Sequence, residues 1–463
     1  MRKSMKKSGF LIDRIIILAI IAGSFTGCSQ QEDRSKDKAA NIIYIMVDDL
    51  GYGDVGCYNE KIEYTPNIDR LAESGIRFTD YHSNGPVCTP TRISFLTGKY
   101  PSRFGPRFES ALGYKKGLPP DTYTVADAMK QAGYATAVYG KWHMGHEPPY
   151  LPPSYGFDEF IGLATGDGDH HTHIARAGHQ DWWHNDTLRM EQGYSTDLIQ
   201  EHSIEFIRRN KDRPFFLYIS HLAIHFPWQG PEDPPHRVEG NDYGKDKFGI
   251  IPDSTYVRPH VEEMIKRVDD GIGEILEILE SLNIENNTLV VFTSDNGGYG
   301  HYSDKFFNIS SNGPFREQKG KVYEGGHRVP CIFYWPGRIP QGKVSGELVM
   351  TMDMFPTFMQ IAGSELPDKT ELDGIGIWKH LTEGKELPAR IVGWKKRDVS
   401  AIRKDNWKFC MIEGKKEMYN LDLDMNEEID LSSIMTEKTE ELMQEYQTWI
   451  GDITSSHPEN VDE

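Results

Sequence analysis

The chain has 463 residues, more than one hydrophobic core ordinarily supports, so we expect one large structural unit and a smaller companion. Its formal net charge of -19 argues against nucleic acid or an anionic membrane surface as a partner, because such binding relies on clustered lysine and arginine. Five cysteines are too few for a scaffold built on disulfides.

The first 28 residues have the composition of an export signal. Basic residues at positions 2, 3, 6 and 7 precede an apolar run at 15–22, and small residues lead to Cys28. The apolar run is too short to cross a membrane as an ordinary helix. Residues 25–28 approximate the lipobox of bacterial lipoproteins, although Phe25 stands where leucine is usual. We predict a signal peptide over 1–28, lipidation of Cys28 as an anchor to the membrane, and a polar tether over 29–40. Plain secretion is the alternative, and both readings place the protein in the periplasm or on the outer membrane, outside the cytoplasm.

From residue 41 onwards, apolar runs alternate with helical patterns, which is typical of an α/β protein. Near-continuous apolar runs predict strands of a doubly covered, mostly parallel sheet at 41–47, 135–139, 215–220 and 288–293. Capped or amphipathic patterns predict helices at 66–75, 124–133 and 260–282.

Beyond about residue 375 the pattern changes to short alternating segments. The segment 407–412 is one of them, and a helical pattern follows at 437–450. We therefore predict a large α/β domain over 41–375, with helices on both faces of its sheet. A smaller subdomain over 376–463 should contain an antiparallel sheet and a packed helix.

Oxygen-bearing side chains directly follow two of the predicted strands. Asp48 and Asp49 come after the first strand, and Asp295 and Asn296 come after the strand at 288–293. Ligands collect at the carboxyl edge of open α/β sheets, so these side chains are candidates for one metal site. Three carboxylates and an amide oxygen suit Ca²⁺ or Mg²⁺ rather than Zn²⁺. Either pair alone is more often a turn or a helix cap.

A candidate nucleophile lies at the start of a short helix. Residues 88–98 read C-T-P-T-R-I-S-F-L-T-G, in which Thr89 and Pro90 fit a cap and first turn, and Gly98 fits the end. This places Cys88 at a helix N-terminus, where backbone N–H groups favour an anion. A buried structural cysteine is the alternative.

Several motifs together resemble those of the type I sulfatase family. Cys-x-Pro-x-Arg followed by Leu-Thr-Gly at 88–98 is similar to the family's modification signature, and the motifs at 48–54, 65–72, 140–145 and 323–326 strengthen the resemblance, which covers roughly 41–430. It implies an alkaline-phosphatase-like fold with a C-terminal subdomain, and hydrolysis of sulfate esters. It also implies that a formylglycine-generating enzyme oxidises Cys88 to formylglycine, whose hydrate is both nucleophile and metal ligand.

The resemblance implies a role for each matching residue. The Ca²⁺ ligands, with Mg²⁺ as the alternative ion, would be Asp48, Asp49, the modified Cys88, Asp295 and Asn296. The other catalytic residues would be Arg92, Lys141, His143, His225 and Lys319.

Arg92 lies one helical turn from Cys88, so its guanidinium could reach the modified side chain. In the implied mechanism Asp295 helps to deprotonate the attacking hydroxyl. His225 or Lys319 protonates the leaving alcohol, and His143 deprotonates the second hydroxyl. His225 and Lys319 would also hold the sulfate oxygens. His221 competes for the role of His225, but the match to the family's His-x-Pro motif favours His225.

The substrate is expected to be a sulfated carbohydrate. A His- and Trp-rich stretch, 167–173 with 182–184, suits a sugar subsite and makes His173 a candidate contact, while packing of these aromatic residues on the domain is the equal alternative. His301 is a further candidate. Two rival functions remain open at this point: a phosphatase or phosphodiesterase of the same fold with an unmodified nucleophile, and a glycan-binding protein without catalysis.

Overall fold

The structure is a computed structural model that describes residues 39–113, 116–248, 256–366 and 371–455. The predicted signal peptide, Cys28 and almost all of the predicted tether lie outside the described residues. Within these ranges, no helix combines the length and the apolar character that a membrane span requires.

The described part of the chain contains eighteen strands and nine α-helices. The strands are β1 (Asn41–Val47), β2 (Ile76–Phe78), β3 (Tyr81–His82), β4 (Ala135–Gly140), β5 (Glu159–Gly162), β6 (Trp183–His184), β7 (Thr187–Leu188), β8 (Phe215–His221), β9 (Thr288–Ser294), β10 (His301–Tyr302), β11 (Phe306–Phe307), β12 (Cys331–Tyr334), β13 (Lys343–Ser345), β14 (Val349–Met350), β15 (Ile391–Lys396), β16 (Val399–Lys404), β17 (Trp407–Ile412) and β18 (Lys415–Asn420). The helices are α1 (Pro66–Glu73), α2 (Cys88–Thr97), α3 (Val125–Gln131), α4 (Ser195–Asn210), α5 (Arg258–Ser281), α6 (Glu324–His327), α7 (Met354–Ala362), α8 (Trp378–Glu383) and α9 (Thr436–Thr454).

A ten-stranded sheet forms the centre of the molecule, in the order β13-β2-β12-β9-β1-β8-β4-β5-β6-β7. Its middle five strands, from β9 to β5, are parallel, and β12 pairs antiparallel with both of its neighbours. Every residue of β1, β8 and β9 is buried, because helices cover both faces of the sheet. The large, mixed, mostly parallel sheet predicted from the apolar runs is therefore confirmed.

Alternate residues of β1 point into two separate cores. Ile43 and Ile45 face a core shared with α1, α4 and α5, whereas Ile42 and Tyr44 face a core shared with α2, α3 and α7. The period-2 alternation of a strand produces this division, and it fixes the sheet between two helical layers.

The C-terminal region forms a four-stranded antiparallel meander, β15-β16-β17-β18. Helix α9 packs on the meander through Leu442, Trp449 and Ile453, which share a third core with strand residues such as Trp394 and Phe409. The predicted antiparallel sheet with a packed helix is confirmed. The described residues from Ala39 onwards form one compact unit, so the domain boundary near residue 375 stays a prediction.

The predicted strands and helices agree with the structure within a few residues at each end. The start of α2 differs. The helix begins at Cys88 rather than after it, and its N-cap residue is Val87 in an extended conformation. The Thr89 hydroxyl does not cap the helix but bonds outside it, accepting from the Leu112 N–H at 2.9 Å and donating to the His143 carbonyl at 3.2 Å. The described cysteines, Cys57, Cys88, Cys331 and Cys410, are all free thiols.

Candidate active site

The two acidic motifs meet at the carboxyl edge of the central sheet. In the register of β1 with β9, Val47 lies opposite Ser294, so Asp48 and Asp295 follow neighbouring strand ends. The Asp49 backbone N–H donates to Asp295 Oδ1 at 3.2 Å, which joins the two motifs directly. The structure thus brings together the side chains that sequence alone could place only on separate strands.

Two oxygen atoms in this cluster have no hydrogen-bond partner in the described part of the chain. They are Asp48 Oδ1 and Asn296 Oδ1, and both are buried. The amide nitrogen of Asn296 donates to Asp49 Oδ1 at 2.8 Å and to the Gly297 carbonyl at 2.9 Å. These two bonds fix the orientation of the amide group, whose Oδ1 is unpaired among the described residues. Unpaired buried oxygens are costly, and a hard cation would satisfy both.

Donor atoms of Asp48, Cys88 and Asp295 all lie within 4.8 Å of one another, which is close enough to share an ion. The pKa of Asp48 is raised to about 6, because burial and neighbouring Asp49 together outweigh the opposing effect of Lys141, Lys319 and Arg92. A divalent cation among these carboxylates would favour their charged forms. The donor set therefore fits Ca²⁺ or Mg²⁺.

Helix α2 presents Cys88 from its first turn. Pro90 is tolerated there because the first-turn N–H groups lack helical partners, and Gly98 ends the helix in a left-handed conformation with φ 65°. Cys88 is 2% exposed but still lines the cavity described below. Its side chain is therefore accessible from the cavity.

His143 contacts Cys88 with a defined ring nitrogen. Nδ1 lies 3.1 Å from Cys88 Sγ, and Nε2 lies 3.0 Å from the Leu112 carbonyl oxygen. Because a carbonyl can only accept, Nε2 carries the proton and Nδ1 presents its lone pair to residue 88. Burial, together with Lys141 and Arg92, lowers the pKa of His143 well below its usual range, which keeps the ring neutral. Its backbone has φ 59°, a strained conformation of the kind that clusters at functional sites.

Arg92 is fully buried, and its hydrogen bonds differ from the prediction. Its Nε and Nη2 donate to Asp295 Oδ2 at 3.2 and 2.8 Å, and Nη1 donates to the Lys141 carbonyl at 3.1 Å and to two hydroxyl groups, those of Tyr218 and Ser220. None of its described hydrogen bonds reaches Cys88. The guanidinium instead fixes the carboxylate of a candidate metal ligand, because its fork matches that group.

The two lysines each contact one metal-site carboxylate. Lys141 pairs with Asp48 Oδ2, and Lys319 pairs with Asp49 Oδ1. His225 lines the cavity, and its Nε2 lies 3.9 Å from Asp49 Oδ2. His221 is buried at the end of β8 and is not among the residues that line the cavity. The choice of His225 over His221 therefore agrees with the geometry.

A cavity of about 570 Å³ opens over these residues. Its lining includes side chains that the sequence reasoning missed: His146, Arg176, Lys247, Tyr299, Tyr302 and Lys396. They come from separate loops and from the C-terminal sheet, so no local motif marks them. The basic run at 395–397 is the exception, because it is visible in the sequence and its Lys396 reaches the cavity.

His173 and His301 are not among the described residues that line the cavity, and their predicted contact with substrate stays a prediction. His173 is 1% exposed, and its ring stacks on Trp182 at a centroid distance of 4.3 Å. The aromatic residues of this stretch therefore pack on the domain, although Asp167 does reach the cavity. His301 lies at the surface, on a two-stranded hairpin, with its ring stacked on Phe307.

Comparisons with known proteins show the family of this chain. The Sulfatase family matches residues 40–364, and the family described as N-sulphoglucosamine sulphohydrolase, C-terminal, matches residues 317–448. The chain is 33% identical to N-acetylgalactosamine-6-sulfatase of Sus scrofa over 74% of this chain and 66% of that protein, so it spans about two thirds of that relative.

Solved structures show the same fold. Ps i-CgsB in complex with k-i-k-neocarrahexaose is 30% identical, with a TM-score of 0.78 over 92% of this chain and 96% of that one. PsFucS1 sulfatase from Pseudoalteromonas sp. is 25% identical, with a TM-score of 0.75 over 92% and 93% of the two chains. The alkaline-phosphatase-like fold with a C-terminal antiparallel sheet is confirmed. The chain belongs to the Sulfatase family of sulfuric ester hydrolases.

Proposed function

We propose that the protein removes sulfate from a sulfated carbohydrate, with a formylglycine made from Cys88 and a bound Ca²⁺ ion. The observation that carries the proposal is the contact of residue 88 with the Nδ1 lone pair of His143, beside a cluster of oxygen donors with two unpaired atoms. This combination supplies a base, a nucleophile position and a cation site next to one another.

The metal and the modified residue would supply the electrophilic and nucleophilic chemistry: a cation that polarises the sulfate, and a geminal diol in place of the thiol. Asp48, Asp49, Asp295 and Asn296 would hold the ion, and the oxygens of residue 88 would stand where Cys88 Sγ lies. Mg²⁺ would use the same oxygen donors.

The side chains around residue 88 would divide the remaining work. His143 Nδ1 would accept the proton of the second hydroxyl at residue 88. The Leu112 carbonyl would hold the ring in the tautomer that permits this. Arg92 would hold Asp295 in place. Lys141 and Lys319 pair with Asp48 and Asp49, and their ammonium groups would balance negative charge as the ester bond breaks.

His225 lines the cavity and would contact the leaving group. Its Nδ1 donates to the Phe226 carbonyl at 2.9 Å, so Nε2 is the nitrogen that faces the site. The Lys319 ammonium would deliver the proton that the leaving alcohol needs; His225 Nε2 would do so only in the doubly protonated ring, since Nδ1 carries the proton of the neutral one.

Carbohydrate substrates are supported by the comparisons, since the similar chain Ps i-CgsB was solved with a neocarrahexaose and the pig relative is named for N-acetylgalactosamine 6-sulfate. We further propose that the protein is exported and lipidated at Cys28, which would place it where polymeric sugars are found. This part of the proposal rests on the pattern of residues 1–28 alone.

The test begins with peptide mass spectrometry of the fragment containing Cys88, after co-expression with a formylglycine-generating enzyme. We expect thiol-to-aldehyde conversion and release of sulfate from sulfated galactose-based oligosaccharides. Cys88→Ala should abolish sulfate release. Lys245→Gln, which changes an exposed residue outside the cavity lining, should not. Full turnover by protein with only unmodified Cys88, or hydrolysis of phosphate esters in preference to sulfate esters, would overturn the proposal.

A further inference from the structure

Two cations in the cavity lining that the proposed reaction does not use lie against the same aromatic ring. They are Arg176 and Lys247, and both lie over the ring of Phe226, with Arg176 Cζ 5.4 Å and Lys247 Nζ 5.5 Å from its centroid. Phe226 directly follows His225, so this pair lies next to the proposed leaving-group site. Two cations held against one ring are close enough to act on the same part of a substrate.

Lys247 is held without being neutralised. Its Nζ donates to the Tyr302 hydroxyl at 2.6 Å and lies 4.7 to 5.5 Å from the ring centroids of Tyr302, Phe248 and Phe226. It forms no ion pair within the described residues. Aromatic faces attract an ammonium group but leave its charge intact, so Lys247 presents a full positive charge to the cavity.

Arg176 shares its one carboxylate partner. Asp167 accepts from Arg176 on Oδ2 and from the buried Arg237 on Oδ1 at 3.0 Å, so one negative charge faces two guanidinium groups. The Nε–H of Arg176 is buried and has no hydrogen-bond partner in the described structure. An unpaired N–H group on a guanidinium is a hydrogen-bond donor that an oxyanion would satisfy.

Among the described residues that line the cavity, Asp167 and Asp242 are the carboxylic acids on the loops that carry this pair. Asp242 is exposed and accepts the Gly244 N–H at 2.8 Å. It forms no described ion pair with Lys247, so it does not neutralise that ammonium group. Asp167 thus compensates the positive charge of Arg176 only in part, and Lys247 has no acidic partner among the described residues, so in a protein with a net charge of -19 this pair locally reverses the overall field.

We infer that Arg176 and Lys247 form a second anion subsite, which binds a second sulfate or a carboxylate on the same carbohydrate. The inference rests on the proposed function and narrows its substrate class to glycans that carry at least two negative charges near each other. Lys141 and Lys319 would face the sulfate that is removed, and Arg176 and Lys247 would face the group that stays.

Equilibrium binding tests this without turnover. The Cys88→Ala protein, loaded with Ca²⁺, is titrated calorimetrically with three galactose-based disaccharides: one with a single sulfate, one with two sulfates, and one with a sulfate and a carboxylate. We expect one doubly charged disaccharide to bind about tenfold or more tightly than the monosulfated one, since hydrogen bonds to charged groups are worth that much. The doubly charged disaccharide that binds more tightly identifies the second anion as a sulfate or a carboxylate.

Variants in the same background assign the gain to the pair. Lys247→Gln and Arg176→Gln should each lose most of the preference, Lys247→Arg should keep a large part of it, and Lys245→Gln should keep all of it. Thermal melting of each variant checks that it folds; if Arg176→Gln does not, because Asp167 loses a partner, Lys247→Gln decides. Equal binding of all three disaccharides, or a preference that survives Lys247→Gln, would overturn the inference.

Failure of the proposed function has a different signature. In that case, protein with confirmed formylglycine would release no sulfate from any of the three compounds. The binding preference and its loss in Lys247→Gln would still be measurable.

Discussion

His143 Nδ1 lies 3.1 Å from Cys88 Sγ, and this contact joins residues 55 positions apart in the chain. His143 reaches it from the loop after β4, with its backbone held in the left-handed region. The Leu112 carbonyl fixes the ring from the other side. The contact orients a neutral imidazole as the base for residue 88, and this arrangement can be tested.

Replacing His143 with glutamine should slow turnover strongly and leave metal binding intact. Removal of a positioned general base costs about 10²- to 10⁴-fold in rate. The measurement is kcat for sulfate release, with a thermal shift on Ca²⁺ addition as the check on the metal site. His179→Gln, an exposed residue also at the cavity, is the control and should retain most of the activity. A change in KM alone would show that His143 only binds substrate.

The two unpaired oxygens predict which substitutions weaken metal binding. Asn296→Ala removes one of them and leaves the surrounding carboxylates in place, so Ca²⁺ affinity should fall by about tenfold or more, the loss expected for one charge-assisted ligand. We expect the wild-type protein to melt at a higher temperature with Ca²⁺ than with a chelator, because a ligand that binds only the folded state stabilises it.

The variant Asn296→Ala should show a much smaller metal-dependent shift in melting temperature at the same Ca²⁺ concentration. Asp304→Asn, which removes an exposed carboxylate outside the site, should behave like the wild type. An equal shift in all three proteins would mean that the ion binds elsewhere.

Asp80 should make stability depend on pH. Burial alone would raise the pKa of its carboxyl, but His82, Arg328 and Arg403 outweigh burial and lower it. A carboxyl with a lowered pKa stabilises the fold above its unfolded-state pKa of about 4, and this contribution is lost as pH falls through the folded-state pKa.

The substitution Asp80→Asn removes that contribution. We expect a loss of about 3 kcal/mol or more in the free energy of unfolding at pH 7, because three cationic or hydrogen-bonding partners lose their carboxylate. Urea denaturation at pH 7, 5, 4 and 3 should show the wild-type advantage persisting to about pH 4 and shrinking below it. An advantage that does not change down to pH 3 would contradict this account.

Lys408 holds together a buried junction between the C-terminal sheet and the main body. Its Nζ lies 2.9 Å from Glu324 Oε1 and 2.8 Å from Glu427 Oε1, and all three side chains are fully buried. Burial raises the pKa of Glu427 to about 7 even though Lys408 lowers it. Lys408→Met would leave two buried acids without their cation and should cost about 3–5 kcal/mol.

The measurement is the free energy of unfolding of Lys408→Met at pH 7, against Lys416→Met on the neighbouring strand as control. Lys416 is exposed, and its ion pair with Glu440 spans 3.7 Å, so its replacement should cost less than about 1 kcal/mol. The uncharged triple replacement Lys408→Met, Glu324→Gln, Glu427→Gln should recover part of the loss, because it leaves no unpaired buried charge. No difference between Lys408→Met and the control would show that the junction adds nothing to stability.

The sequence alone determined the strands, the main helices and the chemistry at the strand ends. β1 and β8 are continuous apolar runs because both of their faces are covered, and such runs are readable without a structure. The motif around Cys88 placed the candidate nucleophile at a helix N-terminus, since a proline in the first turn and a terminal glycine mark the helix ends locally.

Only the tertiary structure decided how these parts meet. The hydrogen bond from Asp49 to Asp295 depends on which strands are neighbours, and a pattern along one strand carries no information about its neighbour. Arg92 could reach Cys88 by helical spacing, yet its fork binds Asp295, because that carboxylate is the better partner in a buried setting. His173 looked available for a sugar but stacks on Trp182 in the core. Long-range packing settles such choices, since burial and partner geometry are properties of the folded chain and not of its local sequence.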